Sequence, residues 1–112
     1  MYNKSQLKHI RDAQKLIQTT LTWTTKIKVA SANGVNGYLF KEMNKIETGL
    51  INKNLNTYEK IEFIQVKLSQ INKQVRNNKV KRLIKSGYDY NKALFNLEES
   101  AKYILNELKN SS

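Results

Sequence analysis

Apolar residues recur at alternating intervals of three and four in several segments of this chain, the spacing that returns side chains to one face of an α-helix. Three series are especially regular: Leu39, Met43, Ile46, Leu50; Ile61, Ile64, Leu68, Ile71, Val75; and Tyr90, Leu94, Leu97, Ala101, Ile104, Leu108. A fourth, looser set runs through Leu7, Ile10, Ala13, Leu16, Ile17, Leu21, Trp23 and Ile27. A helix carrying one apolar stripe must bury it against other helices. The spacing therefore predicts an all-α fold, a single antiparallel helical bundle of three to four helices with heptad-like seams, formed by residues 1–112 as one domain. Strict heptad spacing also suits packing between chains in a coiled coil, so a homodimer is a second expectation.

Enough apolar material is present to build that core. Leu, Ile, Val and Phe supply 30 of 112 residues, above the roughly one-fifth level below which charged chains stay disordered. Pro is absent, so no helix interior carries the strongest breaker.

Helix ends follow from capping and turn chemistry. Asn3 and Gln6 stand three apart, as a capping box requires, and the first helix is expected from there to about Val29. Its second half holds Thr19, Thr20, Thr22, Thr24 and Thr25, whose β-branched side chains make it the least regular stretch. Asn33-Gly34 and Asn36-Gly37 predict a reversal between Ser31 and Gly37, because Gly accepts positive φ and Asn tolerates it. A second helix is expected from about Tyr38 to Ile51, weakened near its end by Gly49. The segment 52–56 reads as a break, with Asn56 and Glu59 as a capping box, although fusion of the second and third helices is the alternative. The third helix is expected from Thr57 to at least Val75, or on to Lys85 if Asn77-Asn78 does not interrupt it. Ser86-Gly87 would then stop it and Asp89 would cap the last helix, which extends to about Lys109.

The charge is strongly one-sided: 20 Lys and Arg against 9 Asp and Glu, a net +11. Such a balance favours nucleic acid, anionic lipid or an acidic protein as a partner. The preponderance of 17 Lys over 3 Arg is what an AT-rich genome produces, but codon bias does not account for so few acids. Between Glu62 and Asp89 there is no acid at all, while Lys67, Lys73, Arg76, Lys79, Lys81, Arg82 and Lys85 occur. These seven cations, with Tyr88 free to stack on a base, are the candidate nucleic-acid-binding residues. Gln74, Asn77 and Asn78 interleave with them, and Tyr90 belongs to the apolar series of the last helix. The amino-terminal cations Lys4, Lys8, Arg11 and Lys15 form the next candidate surface.

Catalytic material is thin. Cys is absent, which removes disulfides, thiolate chemistry and Cys-based zinc sites. The one His, His9, lies three residues before Asp12, too few ligands for a metal, and is expected at the surface. Glu98 and Glu99 are adjacent, about 100° apart around a helix, and are expected on its exposed face. Asn33-Gly34-Val35-Asn36-Gly37 lacks the spacing of a phosphate loop. No enzyme activity, cofactor or metal is expected. The first 25 residues carry charges where a signal peptide needs an apolar stretch, and no window reaches the roughly 18 apolar residues of a membrane span. A cytoplasmic protein is expected, with contact to an anionic membrane surface still open.

Two resemblances complete the sequence picture. The stretch Leu83-Ile84-Lys85-Ser86-Gly87-Tyr88-Asp89-Tyr90-Asn91-Lys92-Ala93-Leu94 is similar to the helix, Gly-aromatic loop and helix of a ubiquitin-associated domain. That family needs a further loop where Leu97-Glu98-Glu99-Ser100-Ala101 continues a helix, so its function is not carried over. In length, basicity and expected four-helix architecture, the chain also resembles the small immunity proteins that protect bacteriocin producers. That resemblance implies a protein-interaction role such as inhibitor, adaptor or immunity protein, the alternative to nucleic-acid binding.

Overall fold

Five threonines do not break the first helix, because four of them satisfy their hydroxyls on the helix itself. In a computed structural model describing residues 4–110, α1 runs unbroken over Lys4–Ser31. Thr20 donates to the Leu16 carbonyl (2.7 Å), Thr22 to Gln18 (3.1 Å), and Thr24 and Thr25 to Leu21 (2.8 and 3.2 Å). Bonded in this way, Thr20 and Thr24 are buried without any partner from another helix. The expected Asn3 cap lies outside the described residues.

The first reversal falls where Asn and Gly predict it. Asn33 and Gly34 take φ of 58° and 80°, and the amide of Asn36 returns to the Ser31 carbonyl (3.1 Å). Asn36 then accepts from the Leu39 amide (3.0 Å) and caps α2, Gly37–Ile51, which starts one residue earlier than expected. The second and third helices are not fused. Asn56 and Glu59 exchange side-chain-to-backbone bonds of 2.8 and 3.0 Å, the expected capping box, and open α3 over Thr57–Arg76.

α3 does not continue to Lys85. Asn78 adopts φ 58°, its amide bonds the Val75 carbonyl (3.1 Å), and the Lys79 amide reaches back to Gln74 (2.9 Å). That is the Schellman arrangement with Asn in the left-handed position usually given to Gly. Ser86-Gly87 is consequently not a helix stop. It forms the turn of a small hairpin, β1 (Ile84–Lys85) and β2 (Tyr88–Asp89), with Ile84 opposite Asp89 and Lys85 opposite Tyr88. Both turn residues have positive φ, 53° and 76°, as a tight hairpin turn of this hand requires. α4 follows over Tyr90–Asn110, and Asp89 caps it by accepting from the Asn91 amide (3.1 Å).

The hairpin is fastened to the bundle rather than left loose. Leu83 is buried, its amide donates to the Asn91 side chain, and its carbonyl accepts from the Tyr90 amide (3.0 Å). Asn36, from the α1–α2 turn, donates to the Lys81 carbonyl (3.0 Å).

The four helices pack as an antiparallel bundle around one apolar cluster, with α1 touching the other three. Antiparallel pairing shows in contacts between helix starts and ends: His9 with Glu107, Trp23 with Tyr88, Glu42 with Lys67, Asn72 with Glu98. The α2 and α3 seams are buried at every expected position. In α4, Leu94, Leu97 and Ala101 are buried as expected, but the far end turns Leu105 inward and leaves Ile104 and Leu108 half-buried. These seams are therefore spent inside the bundle. No described helix is long and apolar enough to cross a membrane.

Gly49 has a packing role beyond weakening α2. A Cβ there would overlap the ring of Phe63 on α3, so the missing side chain is what lets the two helices approach. Gly49→Ala gains helix propensity but forces the ring aside, and a net loss of about 1–2 kcal/mol is expected in urea unfolding. Adding Phe63→Leu should restore most of it, whereas a Gly49→Ala protein more stable than the parent would remove this contact from the account.

Candidate binding surface

A run of cations along a sequence becomes a field only if folding keeps acids away from it, and here folding brings three acids in. Lys67 is half-buried on α3 and pairs with Glu42 of α2 (3.2 Å). Arg82 clasps Asp89 across the base of the hairpin, its Nη2 at 2.7 Å and Nε at 2.8 Å from the same carboxylate oxygen. The Arg82 bond holds the Asp89 carboxyl below its ordinary range, against the desolvation that raises it. Arg76 lies 4.0 Å from Glu98. Both guanidinium groups also sit over the Phe95 ring, at 5.8 Å for Arg76 and 5.1 Å for Arg82, in cation–π contact.

Four of the seven cations remain. Lys73, on the last turn of α3, and Lys79, Lys81 and Lys85, on the segment leading into the hairpin, are exposed. None of these four has an acidic partner among the described residues. Asn77 and Asn78 beside them are exposed, whereas Gln74 is half-buried with its carbonyl taken by Lys79. The amino-terminal cations Lys4, Lys8, Arg11 and Lys15 are exposed on the first half of α1, away from the hairpin end.

Tyr88 is less free than its sequence position implied. It is 47% exposed, but its ring stacks on Trp23 (6.3 Å between centroids, 9° between planes) and meets the edge of Tyr90 (4.7 Å). Lys26 in turn lies 4.7 Å over the Trp23 ring. One face of Tyr88 is therefore already occupied.

Glu98 is the largest correction to the sequence picture. Expected on an exposed face, it is 2% exposed, while its neighbour Glu99 points to solvent. The Asn72 amide donates to it at 2.6 Å and Lys102 at 3.0 Å. Burial raises its carboxyl pKa, but the bonds from Asn72 and Lys102 and the charge of Arg76 outweigh it and hold the group below the ordinary 4.5. The signal that could have found Glu98 is its place four residues after Leu94, on the inward stripe. Asn72, four after Leu68, obeys the same rule.

His9 is also less exposed than expected: it is half-buried and ties α1 to Glu107 at the end of α4 (3.5 Å). Among the described residues no group of three or more His, Cys, Asp or Glu is placed to hold a metal ion. Comparison with protein-family models, curated proteins and solved structures finds no match to this chain.

Proposed function

We propose that this chain is a small, non-enzymatic, cytoplasmic binding protein that holds a nucleic-acid backbone on Lys73, Lys79, Lys81 and Lys85, in an accessory or regulatory role. The observation that carries this reading is the pairing pattern at the hairpin end. Asp89 and Glu98 are engaged by Arg82, Lys102 and Arg76, which leaves the four lysines exposed and without counter-charge. Ammonium groups in that state attract phosphates and release counterions when they meet them. Sequence preference should be modest. Arg76 and Arg82, the two side chains suited to bidentate contact with a base, are held against Phe95 and their carboxylates.

The test is binding of a labelled short duplex and a labelled single strand across a salt series. Four phosphates neutralised give a log–log slope of about −3 to −4. Lys79→Glu, Lys81→Glu and Lys85→Glu together touch no buried side chain and leave the Arg82–Asp89 clasp intact. Affinity at low salt should fall by about a hundredfold or more in this triple variant, and the slope should flatten towards about −1. Undiminished binding would move the contact to Lys4, Lys8, Arg11 and Lys15. No binding of the parent protein to DNA or RNA at low salt would end the proposal in favour of a protein-interaction role.

A further inference from the structure

A groove runs along the seam of α1 and α4, made of two adjoining depressions that share Thr19, Leu97 and Ser100. One depression ends at Asp12 and Tyr103, the other at Trp23 and Tyr88. From Asp12 to Trp23 is about three helical turns, or about 16 Å. The middle of the floor is Leu16 and Leu97, while Tyr103 stands 65% exposed on the rim. Trp and Tyr around an apolar floor, with few lysines among them, is the composition of a protein interface rather than of an ordinary solvated face.

The charges on this rim differ from those of the rest of the chain. The whole molecule carries more than two cations per acid, yet the Tyr103 end of the groove holds Asp12 and Glu99 with one cation, Lys15. The Trp23 end holds Lys92, with Lys26 against the indole; its one acid, Asp89, is neutralised by Arg82. The groove is thus acidic at one end and basic at the other. A polyanion is repelled by the first end, and an acidic protein is drawn to the exposed lysines elsewhere. A second copy turned end for end matches both ends at once, because a two-fold axis through the middle sets each acidic end against the partner's basic end.

We propose that the α1–α4 groove is the contact face of a homodimer, with Thr19 and Ser100 near the two-fold axis and Tyr103 of each copy seated towards the partner's Trp23 end. This face is distinct from the heptad seams, which are buried within each copy. Two chains of +11 repel at long range, so association is weakest in low salt and strengthens as salt screens that repulsion.

Analytical ultracentrifugation from micromolar to near-millimolar concentration, at low and moderate salt, reads the outcome. The expected result is a reversible rise from 13.1 kDa to twice that mass. Ser100→Arg, at an exposed position, should weaken the dimer by about a hundredfold while leaving thermal unfolding of the monomer unchanged. Glu99→Lys and Lys92→Glu should each weaken it by about tenfold, and the two together should recover it, since each reversed charge again meets its opposite. A monomer under all conditions would overturn the proposal and leave the groove to a different protein. So would an unchanged dimer in Ser100→Arg, which would place the interface elsewhere.

Discussion

Leu68→Ala is expected to cost the fold about 2–5 kcal/mol, a large part of the roughly 5–15 kcal/mol that separates a domain of this size from its unfolded state. Leu68 is fully buried in the α3 seam, within the cluster that draws on all four helices. Removing its isobutyl group forfeits the transfer energy of those carbons and leaves a cavity that the surrounding helices close only in part. Leu97→Ala should fall at the lower end of the same range, because Leu97 is 6% exposed and floors the surface groove, where water or a neighbouring side chain can enter. Urea denaturation followed by circular dichroism measures both. Midpoints like that of the parent for both variants would mean that the seams are not where the stability lies.

Glu98→Ala should cost about 2–3 kcal/mol at neutral pH, the value of a hydrogen bond to a buried charge. The Asn72 amide would keep only its bond to the Leu94 carbonyl (3.2 Å), and its own carbonyl oxygen already has no partner. Arg76 and Lys102 are half-exposed and can turn to water, which limits the loss. The pH dependence has a definite sign. A carboxyl whose pKa is lower folded than unfolded adds stability above its ordinary value of 4.5, and that stability disappears as the pH falls through the folded value. The gap between parent and Glu98→Ala should therefore be widest above pH 4.5 and shrink as acid is added. Glu98→Gln retains an acceptor for Asn72 and should be milder. Asp89, also depressed, lies in every variant and gives all of them a shared acid sensitivity. A gap independent of pH would show that Glu98 acts by packing and not by charge.

The helices were legible because period and capping are local. Asn36, Asn56 and Glu59 each act on a backbone group within three residues, so sequence neighbours suffice to identify the caps. The end of α3 was less legible: Lys and Arg on both sides of Asn77-Asn78 are good helix formers, and only the backbone angles reveal that Asn78 leaves the helix. Ser86-Gly87 is ambiguous for a related reason. Positive φ serves both a helix stop and a hairpin turn, and the choice rests on Leu83 being drawn inward by Asn91, eight residues away. The candidate site was legible only in part. Charge along a chain is one-dimensional, and Glu42, Asp89 and Glu98 neutralise Lys67, Arg82 and Arg76 through contacts that no spacing rule within the basic run contains. Trp23 against Tyr88 joins residues from opposite ends of the chain and was equally hidden.

The order in which the helices pack also bears on how quickly this structure can be reached. The most extensive contacts join sequence neighbours, α1 with α2 and α3 with α4, and α1 is linked to α2 by the short segment 32–36. Closing such loops takes on the order of 10–100 ns, and helical folds dominated by local contacts form in microseconds to milliseconds. With no proline, nothing in the chain waits on prolyl isomerisation, the usual source of phases lasting tens of seconds. A ribosome adds a residue roughly every 50–200 ms. The bundle can therefore close between one peptide bond and the next, before its apolar stripes meet those of another nascent chain.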